Sequence, residues 1–83
     1  IGVHIQSEIH TSKGRLDSVI HTDKAVYILE FKVDKDADTA LIQVREKGYA
    51  KPYLSKGKPV VAVGINFGTE EREVVDWRFE ELE

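Results

Sequence analysis

The chain contains no cysteine. That excludes a disulfide framework and any thiolate metal site. No apolar run is long enough to span a bilayer and no signal-peptide pattern is present, so an intracellular, cytoplasmic protein with no membrane partner is the expectation. Internal repeats and low-complexity segments are also absent. An excess of positive charge is missing as well: the formal net charge is −3, which by itself argues against nucleic acid. The distribution changes that reading. Residues 70–83 hold seven acids against Arg72 and Arg78, whereas residues 1–69 hold ten Lys/Arg against eight acids. The acidic excess is local to the C-terminus, and a moderately basic working face is compatible with the rest.

Eighty-three residues, 41% of them apolar and 33% charged, make one domain, residues 1–83. A chain this short buries only about 60–65% of its unfolded surface, so its core is thin. The chain starts at Ile1-Gly2 and not at methionine; the expectation is the C-terminal part of a longer protein.

Val3, Ile5 and Ile9 alternate with His4, Gln6, Glu8 and His10, which predicts a strand. Thr11-Ser12-Lys13-Gly14 is turn chemistry. Leu16 to Ile20 predicts a second strand, and Ala25 to Val33, apolar on both faces, a central third. A helix is predicted from about Asp36 to about Tyr49, with Ala37, Ala40, Leu41, Val44 and Gly48 on one stripe. Pro52 ends or kinks any continuation of that helix. Pro59 to Ile65 is a second continuous apolar run. A strand–helix–strand crossover makes its two strands parallel. Val75, Trp77 and Phe79 alternate with charged residues in a half-buried edge strand, with Trp77 assigned to the core. Gly48, read as lying mid-helix, is assigned to close helix–sheet approach.

The chemistry lies in Asp17 and in Glu30-Phe31-Lys32. An acid at the end of a buried apolar strand costs several kcal/mol unless something pairs with it. Register decides whether the acids converge. A two-residue turn at Asp23-Lys24 sets Asp17 opposite Glu30, and a four-residue loop sets it diagonal to Glu30. Either keeps Asp17, Glu30 and Lys32 on one face. A tight turn at Ser12-Lys13 sets Glu8 opposite Asp17. Glu8, Asp17 and Glu30 then form a row across three strands, with Lys32 beside it. Close carboxylates repel, so a proton or a cation must sit among them. Oxygen-only ligands favour Mg²⁺ or Mn²⁺. Such an ion polarises phosphate oxygens and lowers the pKa of bound water, and Lys32 supplies positive charge to a phosphate transition state. Together these describe a phosphodiester hydrolase.

Glu8, Gly14-Arg15-x-Asp17, Glu30-x-Lys32 and Gln43 on the helix resemble the PD-(D/E)XK nuclease superfamily, in particular a bacterial and archaeal branch that often follows an AAA-ATPase-like region. The resemblance covers nearly the whole chain. It implies an α/β fold: a restriction-endonuclease-like three-layer core with a central mixed β-sheet and elements in the order β-β-β-α-β-β. That core usually starts with a helix packed on the sheet, whereas this chain opens directly on a strand. The resemblance further implies a metal-dependent nuclease acting on DNA. Asp17 and Glu30 would be metal ligands together with the backbone carbonyl of Phe31, and Lys32 the catalytic lysine. Gln43 would support the site from the helix, with Glu8 beside it. Related nucleases carry a Tyr four residues after that Gln; here position 47 is Lys, and Tyr49 falls on another face of the helix.

The ordinary readings stand beside these. Glu30 and Lys32 also read as a surface ion pair, Glu8 and Gln43 as solvated residues, and the three histidines as plain surface groups. Lys13, Arg15, Lys47 and Lys51 are candidate phosphate contacts whose default is solvated charge. The rival to the nuclease is a non-catalytic module on the same fold that binds nucleic acid or a protein. A homodimer and a covalently linked ATPase-like region are further partner expectations.

Overall fold

In a computed structural model the described residues are 3–11 and 14–83, with the backbone alone described for residues 8–11 and 14–16. Five strands form one sheet in the order β1-β2-β3-β4-β5. They are β1 (Val3–Thr11), β2 (Gly14–Thr22), β3 (Val26–Val33), β4 (Val60–Gly68) and β5 (Glu73–Glu81), with the helix α1 (Ala37–Lys47) between β3 and β4. The sheet is mixed: β3 and β4 run parallel and every other neighbouring pair is antiparallel. The crossover expected from the two apolar runs is therefore present. The architecture is α/β and restriction-endonuclease-like, in the element order that the sequence predicts.

Register decides which residues of neighbouring strands face one another. β1 pairs β2 from Val3↔Thr22 to Thr11↔Gly14, which sets backbone position 8 across from position 17. β2 pairs β3 from His21↔Val26 to Ser18↔Leu29, and continuing that register sets Asp17 across from Glu30. The shorter of the two turn alternatives is the one adopted. The Thr22 hydroxyl closes it, donating to the Ala25 carbonyl and accepting the Ala25 N–H. His21 and Thr22 accordingly belong to β2 and not to the loop.

The helix begins where its capping acid places it. The Asp36 carboxylate accepts the Thr39 N–H at 2.6 Å, and Asp38 in the first turn and Arg45 and Lys47 in the last turn match the helix dipole. Gly48 is not mid-helix. It is the C-terminal cap, with φ +66°, a left-handed conformation that glycine adopts without a Cβ penalty. The close approach assigned to Gly48 occurs at Gly64 on β4. A Cβ there would stand 2.4 Å from the Ala37 carbonyl oxygen and 3.0 Å from the Ala40 methyl.

Ala37, Ala40, Leu41 and Val44 of α1 are buried against one face of the sheet, where Val19, Val26, Ile28, Val60 and Ala62 complete the core with Tyr49 and Ala50. After α1, Pro52 sits in a short 3₁₀ turn, Lys51–Tyr53. The opposite face has no helix over it among the described residues. Trp77 and Phe79 lie on that face, stacked at 6.1 Å between ring centroids and more than half exposed. The core assignment of Trp77 is thus corrected: alternation places it on an apolar face, but nothing described packs over that face. Among the described residues no helix is long and apolar enough to cross a membrane.

Candidate functional site

Glu30, Lys32 and Asp17 meet at the end of β3, on the face that α1 covers. Glu30 is 4% exposed. One of its carboxylate oxygens lies 3.6 Å from Lys32 Nζ; the other, Oε1, is buried with no hydrogen-bond partner among the described residues. An orphaned carboxylate oxygen is expensive, since a buried polar group without a partner keeps its full desolvation cost. Burial raises the Glu30 pKa, the Asp17 charge raises it further, and the Lys32 ammonium opposes both. A carboxyl shifted upward in this way holds a proton readily and accepts a cation in its place.

Asp17 reaches the same spot from β2. Its Oδ2 accepts the Phe31 N–H at 2.8 Å, so the acid is tied to the backbone between Glu30 and Lys32. Lys32 is partly buried, and its ammonium donates a hydrogen bond to Gln43 Oε1 on α1. The sequence alone balances Gln43 between support and solvation; in the fold it bonds Lys32 directly. Lys47 follows one helical turn later, exposed. The Phe31 side chain is 45% exposed and points to the other face.

Three expectations fall outside the described residues. Lys13 is one, and the side chains of Glu8 and Arg15 are the others. Among the described residues no group of three or more His, Asp or Glu side chains gathers as a metal cluster. The donor set that does gather is two carboxylates, one of them with an oxygen left over. That chemistry fits a hard divalent cation. Tyr49 is buried in the core. His21 belongs to no such group either: its Nε2 shares a hydrogen bond with Gln6 Oε1 at 2.9 Å, and its ring packs edge-on to Tyr53.

Sequence reasoning misses Asn66. It ends the fourth strand at Ile65, whereas β4 continues to Gly68. Asn66 is 3% exposed. It stands directly opposite Lys32 in the parallel register, and its amide bonds the backbone of Lys35. A lone polar residue within an apolar strand is the available signal. A hollow of about 420 Å³ lined by Tyr27, Val61, Val63, Trp77, Phe79 and Glu81 lies on the other face of the sheet, away from these groups.

The fold agrees with the comparisons to known proteins. A model of the PD-(D/E)XK nuclease superfamily matches residues 1–77. The chain is 37% identical over 84 residues to an uncharacterized protein encoded in the vnfD 5′ region of Azotobacter chroococcum mcd 1, a match covering 99% of this chain. The chain spans 16% of the length of that relative. No solved structure matches.

Proposed function

The chain belongs to the PD-(D/E)XK nuclease superfamily, and on that premise we propose that it is a metal-dependent nuclease that hydrolyses phosphodiester bonds of DNA. The observation that carries this reading is the buried Oε1 of Glu30, without a partner among the described residues, beside Asp17 and Lys32. A stability-driven sequence gains nothing from it.

In this reading Asp17 and Glu30 would hold the ion, Mg²⁺ or Mn²⁺, with the Phe31 carbonyl as a further ligand. When bound, such an ion supplies Lewis-acid polarisation of phosphate oxygen and a more acidic water. The remaining work belongs to the side chains. The Phe31 N–H holds one oxygen of Asp17, which fixes the carboxylate against rotation. Gln43 accepts from the Lys32 ammonium and leaves its other protons for substrate. Lys32 then offers positive charge to the non-bridging phosphate oxygen as negative charge builds there. Lys13, Arg15 and Lys47 contact the nucleic-acid backbone, which fixes register without reading sequence, and Glu8 supports the acidic row.

Incubating the protein with supercoiled plasmid and with single-stranded DNA, in Mg²⁺, in Mn²⁺ and in EDTA, tests the proposal. Cleavage in either metal and none in EDTA is expected. A folded protein that binds DNA in all three conditions and cuts in none would replace the nuclease with a binding module.

A further inference from the structure

We propose that Asn66 is a positioning residue for Lys32, acting through the turn that joins β3 to α1. The turn spans residues 34–36 and must hold the strand bearing Lys32 at a set distance from the helix bearing Gln43. Asn66 Oδ1 accepts the Lys35 N–H at 3.0 Å and Asn66 Nδ2 donates to the Lys35 carbonyl at 3.0 Å. One side-chain amide thus takes both backbone groups of one residue, as a neighbouring strand would. Exchanging its oxygen and nitrogen would set donor against donor and acceptor against acceptor, so the amide has a single satisfied orientation.

The surroundings make this bond a locator. Lys35 is an exposed residue, so water is at hand for its backbone groups. Asn66, in contrast, is buried in a strand whose preceding residues are apolar. An apolar side chain there would avoid the cost of burying an amide. What the amide supplies is a fixed place for Lys35. The turn needs one, because Asp34 sits at φ +54°, outside the regular strand conformation. Its N–H bonds the Phe67 carbonyl at 2.9 Å and its carboxylate takes the Thr69 N–H and hydroxyl. At the far side of the turn, the Ala37 N–H at the start of α1 donates to Asp76 Oδ2 at 2.9 Å. Asp76 is the register partner of Asn66 across β4 and β5. The entry of α1 is therefore fastened to β4 and β5 on both sides. Gln43 follows Ala37 by six residues, about 9 Å along the helix axis, and a shift of the turn displaces Gln43 from Lys32.

The inference rests on the nuclease reading for its kinetics alone. In the intact protein, Asn66→Asp keeps the acceptor for the Lys35 N–H but, when ionised, has no donor for the Lys35 carbonyl, and Asn66→Ala removes both bonds. Each variant is expected to lower kcat about 10–100-fold, the usual effect of groups that orient a primary site residue, with KM unchanged. Combined with Gln43→Ala, either variant should be no slower than the slower single variant, because both act on Lys32 through one contact. A purely structural role would instead give multiplying losses or none. Independent of activity, selective ¹⁵N labelling of lysine Nζ reads the Lys32–Gln43 bond, and its Lys32 signal should move in Asn66→Asp as it does in Gln43→Ala. Should Asn66→Ala not fold, the isosteric Asn66→Asp carries the test. Wild-type protein that fails to cleave would remove the nuclease reading, and the Lys32 signal would still decide the role of Asn66. A wild-type Lys32 signal in Asn66→Asp, or kcat losses that multiply with Gln43→Ala, would overturn the proposal.

Discussion

The carboxylate of Asp17 accepts the main-chain N–H of Phe31 at 2.8 Å. A side chain of β2 thereby takes a backbone donor of β3 just beyond the pairs that run to Ser18↔Leu29. The consequence is electrostatic. Asp17 is tethered beside Glu30, and its charge helps hold the Glu30 proton. Two carboxylates are thus brought together by backbone register and one hydrogen bond, and they repel each other.

The first prediction concerns that repulsion and pH. The folded-state pKa of Glu30 lies above its ordinary value, first through burial and then through Asp17. An acid raised on folding binds more protons in the native state than in the unfolded one, so stability falls as pH rises through the elevated folded value. Metal-free protein should therefore melt higher when its pH is lowered from neutral into the range where Glu30 takes up its proton. Glu30→Gln should flatten that rise and increase the metal-free melting temperature at neutral pH. Thermal scans across pH on both proteins check this; a wild-type profile in Glu30→Gln would contradict it.

A second prediction concerns the cation. Mg²⁺ or Mn²⁺ at ten times its Kd should add about 1.4 kcal/mol of stability, a shift of about 6–11 °C for a domain of this size. Asp17→Asn should lose most of the shift. Screening alone would act through ionic strength and would appear equally with matched NaCl. Scans in Mg²⁺ and in matched NaCl, on wild type and Asp17→Asn, separate the two. Equal shifts in every arm would leave no metal site.

The third prediction is steric. Gly64→Ala places a methyl into the Ala37 carbonyl, and backbone cannot yield as a side-chain tip does. The variant should lose about 1–3 kcal/mol of stability, measured by urea unfolding. Because α1 must lift from the sheet to make room, its cleavage rate should fall as well. Unchanged stability would mean that α1 packs less closely than the structure has it.

Much of this fold is legible in the chain. Alternation and the short turn at Asp23-Lys24 decide which face carries Asp17, Glu30 and Lys32, because a one-residue slip would expose the whole core. The helix start is readable from Asp36. The features that escape a reading of the sequence depend on tertiary context. Gly48 and Gly64 look alike as letters, yet one caps a helix and the other admits one. Trp77 alternates like a core residue, but alternation names a face without saying what covers it. Asn66 escapes notice because its partners, the backbone groups of Lys35, have no sequence signature.

The most direct test compares wild type with Lys32→Ala in a plasmid cleavage assay with Mg²⁺, with metal affinity measured on the same samples. Lys32 is assigned to charge that develops in the transition state, so its loss should fall on turnover. The predicted result is a kcat lower by about 10²–10³-fold, with the fold and metal affinity largely intact. Cleavage at the wild-type rate would make Lys32 an ordinary ion-pair partner of Glu30 and would contradict the account.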